Sequence, residues 1–254
     1  MERCSQRAQV VLICNAASPD SAAPLLHGLS EQLGDKLHSL FWNGNTEPGN
    51  RILGSSFHQL SGPSDVVETL GGARVHFPPG AFGQNNLDLF EKIVATIHAW
   101  VPPGAPVVEL YAGCGSIGLG LLARAESVVF NELSPDALVG LERGLSDLAP
   151  VLAARAKVIP GPAIAAVQAI DARSVLVVDP PRKGLDPDLT AALAVHTPAS
   201  LIYLSCGLEA LLREIDLLAA HGLRLSALQA FDLFPYTEHV ETLALFERAP
   251  VEAR

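Results

Sequence analysis

Apolar residues in the first third of the chain follow two different spacings. Residues 8–15 and 36–43 are short apolar runs that predict strands, and residues 21–33 between them have the spacing of an amphipathic helix. Shorter β-like pieces follow at 51–59 and 66–77, where glycine and proline interrupt the pattern. We therefore expect residues 1–77 to form a small α+β lobe.

After Pro78, strand-like and helix-like segments alternate. The apolar pattern predicts strands at 107–111, 127–131, 156–160, 174–178, 200–205, 223–232 and 240–247. It predicts helices at 86–99, 117–124, 135–147, 162–169, 187–195 and 208–220. This alternation is typical of a parallel sheet with helices on both faces, and the last two strands, which no helix separates, should pair antiparallel. The prediction is an α/β domain over residues 78–254 with a seven-stranded, mostly parallel, Rossmann-like sheet.

Composition narrows the possible partners. The chain has 27 acidic and 17 basic residues and a net charge of −10, which disfavours binding driven by contacts to phosphates. Its apolar runs fall short of the roughly 20 residues that cross a membrane, and its start lacks the pattern of a secretory signal. The four cysteines form no CxxC pair, so we expect no bound metal and no disulfide framework. We expect a cytoplasmic protein with no membrane partner.

A glycine-rich loop follows the strand predicted at 107–111. Gly113 and Gly115 would let a ligand approach the backbone, and Glu132, nineteen residues after Gly113, is placed to accept the hydroxyls of a ribose. Glu109 lies four residues before Gly113, the spacing at which methyltransferases hold the methionine part of S-adenosylmethionine. We therefore favour that cofactor, with Tyr111 as a further contact, over a nicotinamide dinucleotide or a turn of purely structural role.

Three chemically rich segments occur at predicted strand ends. They are Asp179–Gly184 (DPPRKG), Tyr203–Cys206 (YLSC) and Phe231–Glu241 (FDLFPYTEHVE). The carboxyl ends of the strands form the ligand crevice of an open α/β sheet, so these segments should meet at the cofactor. Arg182 stands where methyltransferases acting on amino groups place an aromatic ring after Asp-Pro-Pro, which disfavours an exocyclic amine as the substrate.

With these segments and FGQNN at residues 82–86, the sequence resembles the RNA uridine-5 methyltransferase family over about residues 8–248. The enzymes of that family make 5-methyluridine in transfer and ribosomal RNA. The resemblance implies a Rossmann-like class I methyltransferase fold, S-adenosylmethionine as the cofactor, and tRNA or rRNA as the substrate.

The resemblance also implies roles for individual residues. Cys206 matches the nucleophile that adds to carbon 6 of uracil, and Glu241 matches the base that removes the proton from carbon 5. Asp179 and Gln84 match residues that bind the flipped uracil or the cofactor. We expect Arg182 and His239 to contact the substrate, and Arg182 to lower the pKa of the thiol.

The chain departs from the family at several points. Gly207 and Ala210 replace the Asn and Thr that follow the nucleophile, and Pro162 replaces an acidic residue that meets the adenine, so we expect weaker cofactor binding. We find no match to the family's RNA-binding barrel, so we expect one of three cases: a small RNA recognised by the catalytic lobe and residues 1–75, delivery by a partner protein, or a changed substrate. Two alternatives stay open: a methyltransferase with another substrate, and a catalytically silent scaffold.

Overall fold

The computed structural model describes residues 2–249. The chain begins with a three-stranded sheet made of β1 (Ala8–Cys14), β2 (Leu37–Gly44) and β3 (Ser56–Ser61), with helix α1 (Ala23–Leu33) between β1 and β2. β2 lies in the middle, parallel to β1 and antiparallel to β3. Leu26 of α1 packs with Leu40 and Trp42 of β2 in a small separate core.

A β-hairpin connects this sheet to the rest of the chain. Its strands β4 (Val66–Leu70) and β5 (Ala73–Phe77) are joined at Gly71 and Gly72, whose φ angles of 56° and 84° favour glycine. Leu70 and Val75 are buried in the larger core that follows and not in the small one. The domain boundary at residue 77 stays a prediction.

The predicted Rossmann-like sheet is confirmed. Its strands are β6 (Pro106–Leu110), β7 (Ser127–Glu132), β8 (Ala156–Pro160), β9 (Val175–Val178), β10 (Ser200–Ser205), β11 (Leu223–Phe231) and β12 (Glu241–Arg248). The helices are α2 (Leu87–Trp100), α3 (Gly118–Leu121), α4 (Pro135–Ser146), α5 (Pro150–Ala153), α6 (Pro187–Leu193) and α7 (Leu208–Ala220). The strand order is β11-β12-β10-β9-β6-β7-β8, and β12 alone runs antiparallel to its neighbours.

Both faces of the sheet are covered. In β9, Val175 and Val177 belong to the core on one face, while Leu176 and Val178 belong to the core on the other. This alternation follows from the two-residue period of a strand, and burial of both sets explains the continuous apolar run in the sequence. Among residues 2–249 no helix is long and apolar enough to cross a membrane.

Three predicted segments differ from the structure. The helix expected at 117–124 is reduced to α3, because Gly118 and Gly120 are poor helix formers. Residues 163–169 form a 3₁₀ helix that buries Ala163 and Ala166, three residues apart, a spacing that suits three residues per turn. The strand expected at 51–59 starts only at Ser56.

Two asparagines explain why β3 begins at Ser56 and not at residue 51. The side chain of Asn45 donates to the carbonyls of Arg51 and Ile52, and that of Asn43 donates to the carbonyl of Gly54. Side chains therefore satisfy backbone groups that a strand would have paired with another strand.

Candidate active site

A cleft of about 700 Å³ opens at the carboxyl ends of β6, β7, β9 and β10. β6 and β9 are neighbours in the sheet although β7 and β8 lie between them in the sequence, so the chain changes direction across the sheet at this point. In open α/β sheets such a switch point is the usual place for a ligand.

Most of the predicted cofactor residues line this cleft. Those that line it are Gln84, Glu109, Tyr111, Gly113 and Glu132. Gly115 does not line it, because a Cβ there would lie 2.7 Å from the Leu141 side chain, in the packing between the loop and α4. A contact between Gly115 and the cofactor stays a prediction.

Glu132 ends β7 with its carboxylate turned onto the backbone of the glycine loop. Its Oε2 accepts the N–H of Gly113 at 2.7 Å, and its Oε1 accepts the N–H groups of Leu133 and Ser134, each at 2.7 Å. These bonds fix an acidic side chain at the edge of the cleft, where the sequence predicted a contact to ribose hydroxyls.

Glu109 is a carboxyl group in an apolar strand. It is 2% exposed, and its Oε2 has no hydrogen-bond partner. Burial, and then the charge of Asp179, raise the pKa of Glu109 to about 8. A buried carboxyl with one oxygen that lacks a donor fits a site where a cationic ligand supplies one.

Tyr111 shows backbone strain at the end of β6. Its φ of 59° is unusual for a residue with a side chain, and such strain occurs often at binding sites. Its hydroxyl donates to Asp186 at 3.3 Å, so the glycine loop is tied to the loop after β9.

The predicted reaction residues lie together in the same cleft. Asp179, Arg182, Cys206 and Glu241 all line it, although they come from three separate strand ends. Glu241 is 3% exposed, its Oε2 has no partner, and burial raises its pKa. Burial and the neighbouring charge of Glu241 raise the pKa of Asp179 to about 7.

Several groups act on the pKa of the Cys206 thiol in opposite directions. Burial, Glu241 and Asp179 raise its pKa, and Arg182 acts in the opposite direction without reversing the result. Arg182 therefore lowers the thiol pKa, in the direction expected from the sequence, but the net pKa is still raised. The reason is that one exposed guanidinium is outweighed by partial burial and two carboxyls.

Aromatic rings at the edge of the cleft were not assigned from the sequence. Phe82, which is 75% exposed, and Phe234 both line it. Phe82 lies in the FGQNN motif and Phe234 in the FDLFPYTEHVE motif. Their position beside predicted polar contacts was the signal in the sequence that could have assigned them to the site. His239 does not line the cleft; its ring packs edge-on against Phe234 at 6.5 Å between centroids, and its contact to substrate stays a prediction.

Within residues 2–249, no three His, Cys, Asp or Glu side chains are arranged as metal ligands. The expectation that the chain holds no metal stays a prediction.

Comparison with known proteins identifies relatives of this chain. The family model described as tRNA (Uracil-5-)-methyltransferase matches residues 166–249. An RNA methyltransferase of Protochlamydia amoebophila is 32% identical over 98% of this chain and 66% of its own length. The 23S rRNA (uracil(747)-C(5))-methyltransferase RlmC of Vibrio cholerae is 29% identical over 78% of this chain and 52% of its own length.

The fold also has solved counterparts. The crystal structure of Pyrococcus abyssi tRNA (uracil-54, C5)-methyltransferase in complex with S-adenosyl-L-homocysteine superimposes with a TM-score of 0.76, at 22% identity. That match covers 96% of this chain and 57% of the other. The chain therefore spans about half to two thirds of the length of these relatives.

Proposed function

Because the chain belongs to the RNA uracil-5 methyltransferase family, we propose that it transfers a methyl group from S-adenosylmethionine to carbon 5 of a uridine in tRNA or rRNA. The observation that carries this proposal is that Cys206, Glu241 and Asp179 line one cleft with the glycine loop. A nucleophile, a base and a cofactor loop are the three parts that this reaction requires.

The residues on the cofactor side fit S-adenosylmethionine. The buried carboxyl of Glu109, whose Oε2 has no hydrogen-bond partner, suits the ammonium of the methionine part, and Glu132 at the end of β7 suits the ribose hydroxyls. Gln84 and Tyr111 line the same cleft. When bound, the cofactor supplies an electrophilic methyl group.

Cys206 starts the reaction. Its thiolate adds to carbon 6 of uracil, so the double bond between carbons 5 and 6 opens and its electrons pass to oxygen 4, which makes carbon 5 nucleophilic. Because the pKa of the thiol is raised, Cys206 needs a base, and Asp179, with a pKa of about 7, is a nearby carboxyl that can accept the proton near neutral pH.

Glu241 completes the reaction. Once carbon 5 carries the methyl group, Glu241 takes the remaining proton from that carbon, the double bond re-forms, and the thiolate of Cys206 leaves. Burial raises the pKa of Glu241, which makes it a stronger base than an exposed glutamate.

The charge of the cleft limits how RNA enters it. Glu109, Asp179 and Glu241 line it together with a single basic side chain, Arg182. The cleft offers a phosphate one cation among several carboxyls, so we expect the uracil to turn out of the RNA stack and enter without its phosphate. With a net charge of −10, we expect base contacts, or a partner protein that delivers the substrate, to contribute to the affinity for RNA.

Transfer of a labelled methyl group tests the proposal. The protein is incubated with methyl-labelled S-adenosylmethionine and with unmodified tRNA and rRNA transcripts, and the RNA is digested to nucleosides. We expect label in 5-methyluridine, and none with Cys206→Ala or Glu241→Gln. Label in any other nucleoside, or cofactor binding without transfer to any RNA, would contradict the proposal and favour another substrate or a scaffold.

A further inference from the structure

The loop after β9 carries two of the charged side chains that line the cleft. We call residues 179–186 the substrate loop; it contains Asp179 and Arg182, which line the same cleft as Cys206. Its far end is held by helix α7: the N–H of Leu185 donates to Oε1 of Glu214 at 2.9 Å. Glu214 is 6% exposed, and few glutamates are buried to that degree.

The loop is shaped to receive this carboxyl. Gly184 has a φ of 89°, which favours glycine, and a Cβ there would lie 2.0 Å from Oε1 of Glu214. Any other residue at position 184 would therefore push the carboxyl away from Leu185. The close approach shows that the loop and the helix fit each other at this contact.

Two further contacts fix the same loop. Gly207, the residue after the nucleophile, packs so closely that a Cβ there would lie 2.5 Å from the carbonyl oxygen of Arg182. Asp186 accepts the hydroxyl of Tyr111 at 3.3 Å from the side of the glycine loop. The C-terminal end of the substrate loop is thus attached through Asp186 to Tyr111 beside the glycine loop, and through Leu185 and Glu214 to the helix that follows Cys206.

We propose that Glu214 is a positioning residue, which holds the substrate loop so that Asp179 and Arg182 keep their places beside the uracil that Cys206 attacks. This inference rests on the proposed function. Glu214 itself does not line the cleft; it acts through the backbone of Leu185. An amide would serve the same purpose, because the oxygen that accepts the N–H is retained in glutamine.

The test compares four proteins: wild type, Glu214→Leu, Glu214→Gln and the control Glu209→Leu, which changes an exposed glutamate on the same helix. Hydrogen exchange of a peptide spanning residues 179–186 reports on the loop without RNA or cofactor. The single-turnover rate of methyl transfer at saturating RNA and cofactor reports on positioning. Binding of S-adenosylhomocysteine shows whether the rest of the site is intact.

In Glu214→Leu we expect hydrogen exchange in the loop to become faster by about tenfold or more. We expect methyl transfer to become slower by about tenfold or more, because the rate falls steeply when reacting groups are misplaced. Glu214→Gln and Glu209→Leu should stay within about twofold of wild type, as should S-adenosylhomocysteine binding in all four. If Glu214→Leu does not fold, Gly184→Ala disturbs the same contact from the loop side.

Unchanged exchange in Glu214→Leu would overturn the inference, and so would faster exchange with an unchanged transfer rate. A glutamine variant as slow as the leucine variant would also overturn it, because the retained oxygen should rescue the loop. Absence of transfer by the wild type contradicts the proposed function instead, and the exchange measurement then still decides whether Glu214 holds the loop.

Discussion

Gly118 makes room for the carboxyl of Glu109: a Cβ at position 118 would lie 2.0 Å from Oε2 of Glu109 and 2.6 Å from the ring of Phe130. The third glycine of the loop is therefore required by a side chain of the preceding strand. The position of the Glu109 carboxyl, which we assign to the cofactor ammonium, therefore depends on the absence of a side chain at Gly118, nine residues later.

Gly118→Ala should accordingly weaken S-adenosylhomocysteine binding by about tenfold or more, since the displaced carboxyl loses its charge-assisted bond. Gly28→Ala is the matched control, because Gly28 lies in α1 with nothing within 4 Å of an added Cβ. The control should bind normally and gain about 1 kcal/mol of stability from helix propensity. If titration calorimetry gives both variants the same affinity for S-adenosylhomocysteine, Glu109 does not bind the cofactor.

Cofactor affinity should depend on pH through Glu109. An ammonium binds the ionised carboxyl, and the pKa of Glu109 is about 8, so affinity for S-adenosylhomocysteine should rise up to about tenfold per pH unit from pH 6 and level off above pH 8. Glu109→Gln should bind weakly with a flatter profile. A wild-type profile that is flat from pH 6 to 9 would contradict this role.

The stability of the ligand-free protein should change in the opposite sense. Since the folded-state pKa of Glu109 lies above its ordinary value, the folded protein holds this proton more tightly than the unfolded chain does. The contribution of Glu109 to stability is therefore largest at low pH and is lost as pH rises towards 8. Between pH 6 and 8.5, the temperature of thermal unfolding should therefore fall by more in the wild type than in Glu109→Gln.

Alkylation by iodoacetamide reads the thiol of Cys206 directly. Because its pKa is raised, Cys206 should be alkylated more slowly at pH 7 than the exposed Cys4 in the same protein. Peptide mass spectrometry separates the two sites. Glu241→Gln should lower the thiol pKa more than Asp179→Asn, because Glu241 is the stronger of the two charges acting on it. Arg182→Ala should raise it. A thiol more reactive than Cys4 in the wild type would show that the electrostatics are assigned with the wrong sign.

Restoring the family's asparagine after the nucleophile should be harmful here. In Gly207→Asn the new side chain meets the carbonyl of Arg182, so we expect a loss of about 1–3 kcal/mol in unfolding free energy and slower methyl transfer. Gly222→Asn is the control, because position 222 is open and its φ of 82° is one that asparagine tolerates. If both variants unfold alike, the close packing of the two loops at Gly207 has no energetic consequence.

The sheet was predictable because its signals are local. A continuous apolar run such as the one at 174–178 predicts a central strand, and the structure places β9 at Val175–Val178. The meeting of Asp179, Cys206 and Glu241 was predictable as well, because the ends of neighbouring strands lie at one edge of a sheet.

Contacts between distant parts of the chain were not predictable. Leu185 and Glu214 are 29 residues apart, and nothing in the sequence pairs them. The net rise in the thiol pKa was not predictable either, because it depends on burial and on two carboxyls that together outweigh Arg182. The shortening of α3 follows from glycines that the apolar pattern of 117–124 concealed.

The central claim is that Cys206 adds to carbon 6 of a uridine, and a covalent complex tests it most directly. RNA containing 5-fluorouridine is incubated with the protein and S-adenosylmethionine; fluorine cannot leave carbon 5 as a proton, so the thioether persists through a denaturing gel. We predict a complex whose mass equals protein, RNA and one methyl group, with the RNA attached at Cys206, and no complex with Cys206→Ala. A protein that binds the cofactor but forms no such complex with 5-fluorouridine tRNA or rRNA, or forms it equally well without Cys206, would contradict the account.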